Sequence, residues 1–153
     1  MKINGVTVSR NEQVLVLPRI DEDIVIKAAA LLSYDELNEL LTRPSVPNKR
    51  TKNGLEPHTD HPDYKEMLAT YASRRWAYIC IKSLEPSDIE WDRVDIGKPE
   101  TWTEWTKELQ EAGLSDTEVG RISTLVLEVN SLNEQKLDEA RKLFLRGTET
   151  PEA

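Results

Sequence analysis

The sequence predicts an α+β fold: a small N-terminal antiparallel β-meander followed by a mainly α-helical bundle of about five helices. Three observations carry that expectation. Asn4-Gly5 is the strongest short hairpin signal, because both residues tolerate the positive φ of a type I′ turn. Val14-Leu15-Val16-Leu17, closed by Pro18, and Ile24-Val25-Ile26 are β-rich runs. Ser115 and Glu118 stand at capping-box spacing, with Leu114 and Val119 placed as the hydrophobic staple around them.

The elements follow in order. Val6 and Val8 alternate with Thr7 and Ser9 after the first turn, and a sheet this short needs a helix to pack on. Ser33 and Glu36 repeat the capping-box spacing, with Leu32 and Leu37 as the staple, and predict a helix over 34–42. Asp60 or His61 caps a helix that opens with Pro62 and stops at about Ser83, before Pro86. A fourth segment runs from Pro99 or Thr101 to Gly113, with Trp102, Trp105, Leu109 and Ala112 on one stripe. The Ser115 box starts a helix over 116–130, and Leu132, Asn133 and Leu137 give a staple around an asparagine cap for 134–146. Residues 43–59 hold Pro44, Pro47, Gly54 and Pro57 with Lys49, Arg50 and Lys52, a composition that predicts a mobile loop. The expected organisation is one domain over 1–147, β-rich in 1–30 and helical in 33–147, followed by a disordered tail, 148–153.

Composition narrows the function classes. Of 153 residues, 38% are apolar and 31% charged, so the core must come from amphipathic stripes. Twenty basic and 28 acidic residues leave a net charge of −8, which disfavours duplex DNA and anionic membrane, since both want clustered Lys and Arg. A single cysteine excludes an internal disulfide and a multi-cysteine metal site, and Cys80, beside Ile79 and Ile81, reads as a buried thiol. The first residues lack the apolar stretch of a signal peptide, and Ile24–Leu32, interrupted by Lys27, is too short for a bilayer. A cytoplasmic protein is the expectation.

Chemistry has few footholds. His58, Asp60, His61 and Asp63 could ligate a divalent ion, but helix capping accounts for the same residues, so no metal is expected. No nucleophile elbow, P-loop, zinc-protease or dinucleotide fingerprint occurs, and Glu104, Glu108 and Glu111 are expected on the solvated side of the Trp-faced helix. An enzyme and a cofactor are therefore not expected. Lys49-Arg50-Thr51-Lys52 could touch phosphate, yet no aromatic interleaves it to stack on bases, and nucleic acid is not expected as a partner. Of the four tryptophans, Trp102 and Trp105 suit a core, while Trp91, in the alternating stretch Ile89–Val94, is a candidate contact for a protein partner.

Stretches across nearly the whole chain resemble the tail assembly chaperone family of long-tailed bacteriophages. They are Val14–Arg19, the Pro-rich loop after the Ser33 helix, Ile81–Leu84 followed by Ile89-Glu90-Trp91, Pro99–Trp102, and above all Leu127–Arg141. The resemblance implies a non-catalytic viral chaperone that coats the helical, apolar tape measure protein in the host cytoplasm and is absent from the mature virion. It also implies that this chain is the short form, a frameshifted longer form recruiting the tail tube protein. Rival readings are a virion structural or head–tail connector protein, and a phage regulatory protein binding a host partner through the basic loop. A long client calls for many modest contacts or self-association along it.

The working surface is expected at the C-terminal end. Val119, Ile122, Val126 and Val129 form one stripe, and Leu137, Ala140 and Phe144 another. The two are expected to close on each other and on Trp102 and Trp105. Leu125, Leu127, Leu143 and Leu145 then lie off the stripes and, with Trp91, are the candidate partner-binding residues.

Overall fold

A computed structural model describes residues 1–149 and confirms the α+β class. The chain divides into two compact units, one holding Met1–Leu31, Ser83–Asp88 and the residues from Ser115 onward, the other Leu32–Lys82 and Ile89–Leu114.

In the first unit, β1 (Lys2–Ile3) and β2 (Val6–Thr7) form a hairpin across Asn4 and Gly5, whose φ of 51° and 78° are those of the expected turn. β3 (Glu12–Leu17) and β4 (Ile24–Ala29) form a second hairpin, in the register Leu17↔Ile24 to Glu12↔Ala29. The two hairpins are separate sheets, so the strands do not join into one meander. Alternation sends Leu17, Ile26 and Ala28 inward and leaves Val14, Val16 and Val25 exposed. On the inner face packs α4 (Asp116–Val129), whose Val119, Ile122, Val126 and Val129 are buried, with the hairpin in the place of the Leu137 stripe expected to cover them.

The start of α4 is a complete capping box: the Glu118 amide donates to Ser115 Oγ at 3.2 Å, and the Ser115 amide to Glu118 Oε1 at 3.1 Å. Its end is tied to the segment that follows β4. Asn130 Oδ1 accepts from the Leu31 amide at 2.9 Å, and Asn130 Nδ2 donates to Val126 O at 2.9 Å and to Ser83 Oγ at 2.8 Å. After Ser131, at φ 56°, the chain enters α5 (Glu134–Glu149), capped by Asn133 Oδ1, which accepts from the Lys136 amide at 3.2 Å. The helix thus runs past the expected start of the tail, and 150–153 lie outside the described residues.

In the second unit, α1 (Asp35–Leu40) buries Leu37, but the Ser33–Glu36 capping box does not form. Ser33 Oγ instead accepts from the Asp35 amide at 3.1 Å, and Tyr34 takes the cap position without a side-chain bond. The expected loop contains a hairpin, β5 (Asn48–Thr51) with β6 (Gly54–Pro57). Its turn is Lys52-Asn53, closed by Gly54 at φ 103° as the first residue of β6, with Thr51 Oγ1 accepting from the Asn53 amide at 3.3 Å. Local turn chemistry prevails there over a composition typical of loops. α2 (Pro62–Ser83) opens with Pro62 at its first position, and His61 Nδ1 accepts from the Asp63 amide at 3.2 Å. Towards its C-terminal end, the five residues Ala77–Ile81 are all buried. A 3-10 segment, Pro99–Glu104, leads into α3 (Trp105–Glu111). Trp102 is fully buried against Tyr78, ring centroids 5.0 Å apart, and its Nε1 donates to the carbonyls of Asp95 and Ile96. Trp105 and Leu109, on the same stripe, are buried as expected, whereas Ala112, expected on that stripe, is exposed because the helix ends at Glu111.

Candidate functional site

Glu108 and His61, both singled out as carrying chemistry, have structural employment. Glu108 is not solvated: its side chain is buried and its carboxylate gathers three backbone amides, Oε1 accepting from Asp92 and from Arg93 at 3.2 Å, and Oε2 from Val94 at 2.9 Å. Burial pushes its pKa up, but the three N–H bonds and the Arg93 charge outweigh that and hold it below the usual carboxylate range. Arg93 in turn donates to Glu111 at 2.9 Å and lies 3.4 Å from Glu104. The carboxylate is a clamp on the 92–94 segment, and the neighbouring Trp91 is held half-buried rather than offered as an open contact.

His58 and His61 stand edge to face with centroids 5.2 Å apart, His61 serving as the α2 cap. Among the described residues, no three His, Cys, Asp or Glu side chains converge to hold a metal ion. Cys80 is buried, and burial pushes its thiol far above the range where a thiolate forms. Lys49, Arg50 and Lys52 lie on or beside the exposed β5–β6 hairpin. Among the described residues, no helix is long and apolar enough to cross a membrane.

The expected leucine surface divides. Leu125 is buried at 7% exposure, because it stands three residues after Ile122 and four before Val129, inside the stripe that packs on β3 and β4. Leu127 is half-buried. Leu143 and Leu145 are exposed, at 66% and 42%. The second stripe does not close on α4: Leu137 is 44% exposed, Phe144 70%, and Ala140 is exposed as well. Sequence reading placed Leu137 and Phe144 in the core, yet they join Leu143 and Leu145 on the surface.

Every side chain described on α5 is exposed, from Glu134 to Gly147. The helix nevertheless supports itself. Its N-terminus is capped, Lys142 Nζ pairs with Asp138 Oδ2 at 2.9 Å one turn away, and Lys136 lies 3.9 Å from Glu139. At 100° per residue, Leu137, Ala140 and Phe144 form a narrow stripe, Leu143 and Leu145 lie at its two margins beside Lys136 and Arg141, and Asp138, Glu139, Lys142 and Arg146 face the other way. Such a surface fits an apolar helix lying alongside. The chain matches no protein-family model, no curated protein and no solved structure.

Proposed function

We propose that this chain is a non-catalytic binding protein of the phage tail assembly chaperone type, which covers apolar helical segments of the tape measure protein until the tail forms around it. What supports the reading is α5, a capped helix with its apolar face exposed on a chain of net charge −8. Apolar side chains supply the grip on a client helix, and like charge on neighbouring copies keeps the loaded complex dispersed. Host cytoplasm is the compartment it requires, and a longer frameshifted form is the route by which tail tube protein would be recruited.

Co-expression with the tape measure protein tests it. The wild-type chain is expected to keep that client soluble, and Leu143→Glu with Leu145→Glu to lose it while circular dichroism is unchanged. Client that stays soluble with the double variant removes α5 from the mechanism. Recovery of the chain in purified particles turns the reading to a virion structural or connector protein.

A further inference from the structure

We infer that α5 pairs with α5 of a second copy, antiparallel about a two-fold axis, each apolar stripe covering the other. The inference stands without the client. The stripe Asn133, Leu137, Ala140, Phe144 is spaced 4, 3, 4, the a/d pattern of a two-helix seam. Leu137 and Phe144 are too exposed to be part of the chain's own core.

Side-chain size sets a register. In antiparallel pairing, a positions of one helix meet d positions of the other. Laying Leu137 against Ala140 of the second copy places Phe144 against its Asn133, so at every layer a large side chain meets a small one. No layer sets Phe144 against itself.

Charge sets the direction. Glu134 and Arg141 occupy the same flank of the stripe, seven residues apart, and Lys136 lies on the other flank. Antiparallel pairing brings like flanks together and sets Glu134 against Arg141 of the second copy, twice by symmetry. Parallel pairing brings opposite flanks together and sets Lys136 against Arg141, a like-charge contact also made twice. The polar face carries its own pair, Lys142 with Asp138, so it makes no demand on the second copy. The same arrangement opposes the two helix dipoles.

Sedimentation of the full chain over a wide concentration range tests this. The mass is expected to rise from 17.5 kDa toward twice that value. Phe144→Glu should hold it at the monomer, with circular dichroism reporting an intact fold. Glu134→Arg should weaken association about tenfold, and adding Arg141→Glu should restore it, since the pair is only reversed. A wild-type chain that stays monomeric throughout overturns the inference. So does a dimer indifferent to Phe144→Glu, or one that the charge swap fails to restore. Loss of self-association with client solubilisation intact, or the converse, separates this inference from the chaperone reading.

Discussion

The two C-terminal helices are announced in the same way and end in opposite environments. Each begins after a staple residue and a polar cap, Leu114-Ser115 for α4 and Leu132-Asn133 for α5. Yet α4 is anchored across its length, with five buried apolar residues, and α5 is exposed along all of its described side chains. The difference lies in apolar mass. α4 carries four charged residues in fourteen, and its buried side chains recur at 119, 122, 125, 126 and 129, wide enough to fill the inner face of the β3–β4 hairpin. α5 carries eight charged residues in sixteen, and its apolar side chains are spread over a broad arc that no single neighbour of this chain covers. Amphipathicity tells that a helix has a face, and apolar mass decides whether folding claims it.

The comparison breaks most directly at its centre. Ile122→Ala, at a fully buried position, is expected to cost about 2–5 kcal/mol in urea unfolding. Phe144→Ala removes a larger side chain, yet at a chain concentration low enough to keep the monomer it should change stability by no more than about 0.5 kcal/mol, as surface substitutions do. Equal costs would mean that α5 is part of the core.

How much of this was legible follows from which interactions are local. The capping box at Ser115, the Asn133 cap and Pro62 at the head of α2 are decided within four residues, and the sequence reading places them correctly. Asn53-Gly54 is an Asn-Gly pair like Asn4-Gly5, but prolines and lysines around it argue for a loop, and the hairpin, which turns one residue earlier at Lys52-Asn53, goes unread. Leu125 was readable as core from its spacing to Ile122 and Val129. Glu108 was not, because the amides it gathers lie 14 to 16 residues away and no spacing rule connects a carboxylate to distant backbone. The exposure of Leu137 and Phe144 is a fact about what fails to cover them, which no local pattern encodes.

Acid sharpens the contrast at the head of α4. Arg19 grips Glu118 through two bonds, 2.7 and 2.8 Å, and with the Ser115 amide holds its carboxyl down to about 2 from an ordinary 4.5. A carboxylate lowered on folding contributes stability that is complete above pH 4.5 and disappears as pH falls through about 2. Glu118→Gln is therefore expected to lower the melting temperature at pH 7, and wild type and variant should converge as the pH approaches 2. On α5, the Asp138–Lys142 pair is open to solvent on both sides, and Asp138→Asn should leave the melting temperature nearly unchanged at either pH. A constant gap between wild type and Glu118→Gln across this range would show that the Arg19 contact adds nothing to folding.

The smallest effects are those of the two caps, and they separate local from global stability. Ser115 and Asn133 each accept one amide of the first turn, at 3.2 Å in both helices. Losing such an acceptor costs about 1 kcal/mol wherever it occurs. In α4 that cost falls on the folded unit, because the first turn cannot fray without pulling Val119 from the β3–β4 face. Ser115→Ala should accordingly lower the unfolding midpoint in urea by about 1 kcal/mol equivalent. In α5 no buried side chain resists fraying, so the same loss is absorbed where it arises. Asn133→Ala should leave the midpoint in place while reducing the helical dichroism signal and speeding amide exchange at Gln135 and Lys136. If Asn133→Ala moved the midpoint as far as Ser115→Ala, α5 would unfold together with the core. Its apolar face would then be held by the chain itself, and would not be available to a client or a second copy.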